Sequence, residues 1–281
     1  MSPLSPVTAP ATFPSVVHTG HPDIHVADFT GAGIITARFT DGTPHTARTP
    51  ASGQPLSAAA AGDDLYFTTW SSPLGDGALR RMPRAGGQAE TVATGLRCPV
   101  GVAADDRAVY VATFYGMLHV LPHAAAPFRI DLTERLTSPN GVALHDSTLY
   151  LVDWDAGSVA ALDTGALTGP GAAPVVRTVV RPGGLTQPGH ITAGDGALYV
   201  TQAGNARGLD GTIERIDLDT ESPRPETLAD RLPYPTGIAL HDGTLYTSAV
   251  DGRCVLGIGV DGTVAADPVI TGLETPWGLA L

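Results

Sequence analysis

A proline-anchored pattern, Pro-x-Gly-apolar-Ala, recurs along the chain and limits the fold more than any other feature. Its copies are Cys98-Pro-Val-Gly-Val-Ala-Ala, Ser138-Pro-Asn-Gly-Val-Ala-Leu, Gln187-Pro-Gly-His-Ile-Thr-Ala, Tyr234-Pro-Thr-Gly-Ile-Ala-Leu and Thr275-Pro-Trp-Gly-Leu-Ala-Leu, with a degenerate sixth at Gln54-Pro-Leu-Ser-Ala-Ala-Ala. The anchor prolines stand at 55, 99, 139, 188, 235 and 276, giving spacings of 44, 40, 49, 47 and 41 residues. Self-similarity at such a period marks a repeat architecture.

Each anchor except the last is followed by a polar turn and an alternating run: Asp64-Leu-Tyr-Phe-Thr, Ala108-Val-Tyr-Val-Ala, Thr148-Leu-Tyr-Leu-Val, Ala197-Leu-Tyr-Val-Thr and Thr244-Leu-Tyr-Thr-Ser. Period-two alternation rich in Tyr and β-branched residues is a strand signal. The turns His145-Asp-Ser-Thr, Gly194-Asp-Gly and His241-Asp-Gly read as hairpins. A third run (Gly157-Ser-Val-Ala-Ala-Leu-Asp, Gly211-Thr-Ile-Glu-Arg-Ile-Asp) and a fourth (Glu90-Thr-Val-Ala-Thr-Gly-Leu) complete the unit. Four strands in about forty residues describe a propeller blade.

The chain stops at Trp277-Gly-Leu-Ala-Leu281, only the first strand of a blade. Asp23-Ile-His-Val-Ala-Asp, Gly33-Ile-Ile-Thr-Ala-Arg and Thr46-Ala-Arg-Thr supply strands two, three and four. Stitching one blade from both ends removes the open edge of the ring. The expectation is an all-β, six-bladed β-propeller of four-stranded antiparallel blades, with a flexible arm at 1–15 and one domain at 16–281.

Composition narrows the partners. The net charge of −12 argues against nucleic acid and anionic membrane surfaces. Cys98 and Cys254 fall in different repeats and imply neither a disulfide framework nor a metal motif. The first residues carry no basic, apolar leader, and no apolar run is membrane-length, so a cytoplasmic protein is expected.

Taken with Asp-Gly-x-Leu-Tyr-Val and Gly-x-Ile-x-Arg-Ile-Asp, the anchor pattern resembles the SMP-30/gluconolactonase and NHL-repeat propellers over residues 20–281. The resemblance implies a small-molecule hydrolase acting on a lactone or ester at the mouth of the central channel. A lyase, isomerase or cyclase of secondary metabolism working by acid–base catalysis without metal is one alternative. A non-catalytic ligand- or protein-binding propeller is another. The family's divalent-metal site (Ca²⁺ or Mg²⁺) resembles Glu274 in Glu274-Thr-Pro276 and Asn140 in Pro139-Asn-Gly141. Where the next blade of the family offers Pro-Asp-Gly, this chain reads Pro188-Gly-His190, so one carboxylate is missing.

In such a ring the loops entering strand one and leaving strand two share one face. They carry Asn140, His190, Tyr234, Glu274 and Trp277, then Asp28, Phe29, Trp70, Phe114, Tyr115, Asp153, Trp154, Gln202 and Asn205. An aromatic collar with a few polar groups suits a small-molecule substrate, here apolar and natural-product-like. Trp70, Tyr115, Trp154, Tyr234 and Trp277 would shape that site, and Gln202 and Asn205 would bind a carbonyl or carboxylate. His190 titrates near neutrality and is the candidate proton carrier, with Asp153 to orient it. Asn140 and Glu274 would hold a carbonyl, directly or through a metal. His145 and His241 fall in opposite-face turns and read as structural, and His25 is an outside candidate. Gly-x-Ser-x-Gly, phosphate-loop and His-Glu-x-x-His motifs are absent.

Overall fold

A computed structural model describes residues 21–71, 76–205 and 207–281. The arm expected at 1–15 lies outside them. The strands fall into six sheets. Blade 1 holds β1 (Ile24–Asp28), β2 (Gly33–Thr40) and β3 (Thr43–Pro50). Blade 2 holds β4 (Gln54–Ala61), β5 (Asp64–Trp70), β6 (Gly77–Pro83) and β7 (Glu90–Leu96). Blade 3 holds β8 (Pro99–Ala104), β9 (Ala108–Thr113), β10 (Met117–Pro122) and β11 (Phe128–Asp131). Blade 4 holds β12 (Pro139–His145), β13 (Thr148–Asp153), β14 (Ser158–Asp163) and β15 (Arg177–Val180). Blade 5 holds β16 (Pro188–Gly194), β17 (Ala197–Gln202), β18 (Gly211–Asp217) and β19 (Pro225–Leu232). Blade 6 holds β20 (Pro235–His241), β21 (Thr244–Ala249) and β22 (Cys254–Gly259). The last strand, β23 (Pro276–Ala280), joins blade 1 in the order β23-β1-β2-β3. The ring therefore closes as the sequence predicts. The one helical turn among the described residues is Thr164–Ala166.

Blade 6 differs from its neighbours. Its fourth position is held by bridges, Val255 to Ile270 and Ile258 to Val264, rather than by a continuous strand. Pro268 lies between them and has no N–H to donate, so the ladder breaks there.

Two repeat residues explain the packing. The tyrosine of strand two in blades 2 to 6 (Tyr66, Tyr110, Tyr150, Tyr199, Tyr246) is buried in a seam between blades. Tyr110 of blade 3, for example, packs with Leu149 and Leu151 of blade 4, and Tyr199 of blade 5 with Leu245 and Ile258 of blade 6. In four blades the glycine two residues after the anchor lets innermost strands approach. A Cβ on Gly101 would lie 2.2 Å from the Asn140 carbonyl oxygen, and one on Gly237 would lie 2.4 Å from that of Trp277. No side chain fits at those distances. Hydroxyls add cross-links between inner strands: Thr201 Oγ1 donates to the Thr236 carbonyl at 2.7 Å, and Ser248 Oγ to that of Trp277 at 2.6 Å.

The hairpin turns on the far face hold Asp146, Asp195 and Asp242 at φ of 52°, 53° and 45°. Aspartate tolerates this left-handed conformation better than most residues, so these acids serve the turns.

Candidate functional site

Strand register defines the mouth. Anchor prolines 276, 55, 99, 139, 188 and 235 pair with Asp28, Thr69, Thr113, Asp153, Gln202 and Ala249 at the ends of the second strands. Entry to strand one and exit from strand two thus lie at one end of every blade. The residues that follow these six partners are Phe29, Trp70, Phe114, Trp154, Ala203 and Val250. Four successive blades place an aromatic ring at the same position, and two place a small aliphatic group.

The backbone fixes this arc. The Phe29, Phe114, Trp154 and Val250 N–H groups donate to the carbonyls of Thr275, Cys98, Ser138 and Tyr234 at 2.9, 3.0, 2.9 and 3.0 Å. Each acceptor is the residue just before an anchor proline. Phe29 sits edge-on to Trp70 at 6.4 Å between ring centroids and tilted against Trp277 at 5.9 Å. The Trp70 indole donates to the Pro99 carbonyl at 3.1 Å. Further round, Tyr115 is exposed, meets Phe114 edge-on at 6.1 Å and carries the Arg97 guanidinium 4.1 Å from its ring centre. Phe29, Trp70, Phe114, Trp154 and Trp277 are all half-buried.

Several predicted site residues instead fasten loops. Asp153 is fully buried. Its carboxylate accepts from the N–H groups of Thr137 (2.6 Å), Ser138 (3.2 Å) and Ala156 (3.0 Å) and from the Thr137 hydroxyl (2.9 Å). These donors occupy the carboxylate that was expected to orient His190. Asp28, at the same repeat position in blade 1, accepts from the N–H groups of Glu274 (3.2 Å) and Thr275 (2.7 Å) and from Arg48 (2.9 Å). Gln202, again equivalent, accepts from the Thr186 N–H and donates to Thr212 Oγ1 (3.1 Å) and Glu214 Oε1 (2.9 Å). One position thus holds the incoming loop in three blades.

His190 occupies the glycine position of the repeat, inside the seam. It is 7% exposed, and its Nε2 has no hydrogen-bond partner among the described residues. Burial pushes its pKa down to about 4, which leaves it a neutral and weak base near pH 7. Its backbone N–H donates to Thr201 Oγ1 at 2.9 Å. Asn140 begins blade 4, whereas Glu274 precedes β23 of blade 1, so the proposed metal pair lies three blades apart. The Glu274 carboxylate is half exposed and 3.9 Å from Arg48. No group of three or more His, Cys, Asp or Glu among the described residues is placed to hold a metal.

Tyr234, half-buried, sits before its proline at φ 56°, as do Cys98 (50°) and Gln187 (47°), so three anchor loops share a strained entry. Asn205 is tied to Asp210, whose Oδ1 accepts its N–H at 2.9 Å. The Asn205 side-chain amide, and after it that backbone bond, hold the Asp210 carboxyl below its usual range. Sequence reasoning missed Arg48, which binds Asp28, the Gly31 carbonyl (2.6 Å) and the edge of Glu274. Its only signal is an arginine placed by the β2–β3 register opposite Ile35.

Two open grooves, of about 620 and 770 Å³, lie between neighbouring blades, and none of the aromatic arc lines either of them. The first runs between β15 and residues 221–225, the second between β11 and residues 171–176. Among the described residues no helix is long and apolar enough to cross a membrane, and both cysteines are buried and unpaired.

No protein-family model matches the chain, and no curated protein matches it in sequence. Among solved structures, it is similar to a chain in the crystal structure of a nidogen/laminin complex. The TM-score is 0.75 at 16% identity, over 92% of this chain and 97% of that one. At this identity the likeness is one of fold, and the fold it supports is the six-bladed propeller.

Proposed function

We propose that this chain is a binding propeller that captures an apolar segment of a protein partner on the mouth face. The observation that carries this reading is the arc of equivalent rings, Phe29, Trp70, Phe114 and Trp154, extended by Trp277 and Tyr115. Aromatic groups held on a rigid backbone lose little entropy on binding and commonly anchor interfaces. Blades 5 and 6 offer Ala203 and Val250 instead, beside the polar Asn205 and Asp251, so the mouth has an aromatic side and a polar side. The nidogen/laminin structure is a protein complex by its own description, which is consistent with a docking role for this architecture.

Panning a displayed random-peptide library against the wild-type chain and a Trp70→Ala/Trp277→Ala variant tests this. Peptides enriched on the wild type should bind the folded variant at least 10-fold more weakly. Equal binding to both would overturn the reading.

A second reading, the small-molecule hydrolase, is favoured by one observation: the unpartnered Nε2 of His190. It predicts turnover of chromogenic esters or lactones that disappears in His190→Ala while folding is kept.

A further inference from the structure

We propose that the seam between blades 1 and 2 is an acid-sensitive latch: protonation of His25 releases the strand that closes the ring.

Register supplies the first argument. Counting back three residues from the strand-two partners of the anchors gives Tyr66, Tyr110, Tyr150, Tyr199 and Tyr246 in blades 2 to 6, and His25 in blade 1. Five seams are thus plugged by a phenol and one by an imidazole. His25 follows the side of β1 that presents Ala27, which packs with Leu65, Phe67 and Met82 of blade 2. It is fully buried. Its Nδ1 lies 3.0 Å from Thr36 Oγ1, and its Nε2 has no partner among the described residues. Whichever tautomer is neutral, the doubly protonated ring would carry an Nε2–H with no acceptor, in an apolar seam.

The surrounding charges oppose that proton as well. Arg38 of β2 and Arg84 beyond β6 both disfavour it, and Asp23 alone favours it. Asp23 is already engaged by Arg38 Nε at 3.1 Å, and Arg38 also donates to the Arg84 carbonyl at 3.1 Å. The packed strands β4 and β23 carry no ionisable side chain. On β5, Asp64 is held by Arg81, and Tyr66 faces the next seam. Burial, then Arg84, pushes the pKa of His25 down to about 4 from an ordinary 6.5.

The direction follows from linkage. The unfolded chain takes up the proton near pH 6.5 and the folded chain only near 4, so the stabilisation is full above 6.5 and drains away as pH falls to 4. At the lower end the equilibrium for keeping this strand closed is weakened on the order of 100-fold. The loss falls on β1, which lies between β23 and β2 and so ties the two ends of the chain together. His25 is itself in register with Ala280 of β23.

Hydrogen exchange followed by mass spectrometry at pH 7, 6 and 5, corrected for intrinsic rates, tests the latch. Amides of 24–28 and 277–280 should lose at least 10-fold more protection between pH 7 and 5 than those of β12 and β13. His25→Gln removes the titrating group and should abolish that excess. If it does not fold, His25→Tyr, which restores the residue of the other five blades, gives the same readout. Uniform loss of protection in all blades, or an excess that persists in the folded variants, would overturn the proposal.

Discussion

Blades 1 and 4 face each other across the ring and solve one problem in two ways. Each buries an aspartate completely at the end of strand two, and each uses it to hold the loop that enters strand one. In blade 4 the loop residues are Thr137 and Ser138, and among the described residues Asp153 accepts hydrogen bonds from neutral donors alone, the Thr137 hydroxyl included. In blade 1 the same loop places are taken by Glu274 and Thr275. Glu274 has no hydroxyl to match that of Thr137, and Arg48 fills the place with a charge-assisted bond at 2.9 Å. A carboxylate in a propeller mouth is thus not by itself a catalytic group. Its repeat position and its donors decide its role.

The largest effect should come from removing the clamp that has no substitute. Asp153→Ala leaves the N–H groups of Thr137, Ser138 and Ala156 without their acceptor, and bonds to a charged partner are each worth about 1.5–3 kcal/mol. A loss of about 3 kcal/mol in urea unfolding is expected. A value below about 1 kcal/mol would mean that water replaces the clamp. Arg48→Ala should be milder. Stripping a buried acid of its cation typically removes 3–5 kcal/mol. Asp28, however, keeps two backbone donors, and the Arg48 side chain is 38% exposed. About 2 kcal/mol is expected by the same measurement. If Arg48→Ala proves as damaging as Asp153→Ala, neutral donors do not suffice and the two clamps are not equivalent.

The fold was legible because its signal repeats. Six anchors, five tyrosines and an unfinished last blade fix the ring, and the register bears them out. The mouth was legible for the same reason, since the loops that meet there follow from strand direction. Individual roles were not. Asp153, Gln202 and Glu274 stand where a ligand could be met, but whether a polar side chain turns to the channel or back to its own loop depends on donors in separate loops, such as Thr186 or Arg48. His190 shows the same limit: its place in the motif is plain in sequence, yet only close packing of inner strands shows that a glycine position points into a seam. The irregular edge of blade 6 was hidden because Asp267-Pro268 reads as a turn wherever it falls.

The smallest effect separates the two clamps most cleanly. Glu274→Thr gives blade 1 the residue that blade 4 uses at this point. The hydroxyl would reach the Asp28 carboxylate as Thr137 reaches Asp153, and a half-exposed acid that lies 3.9 Å from Arg48 would be lost. That exposed ion pair is worth under about 1 kcal/mol, and the new hydrogen bond about as much. The net change should lie within about 0.5 kcal/mol of zero, with reduced salt dependence of unfolding as the clearer sign, because one of the charges beside Arg48 has gone. A loss near 2 kcal/mol would show that Glu274 does more than border the clamp. It would return this carboxylate to the small set of mouth residues whose purpose is a ligand rather than a loop.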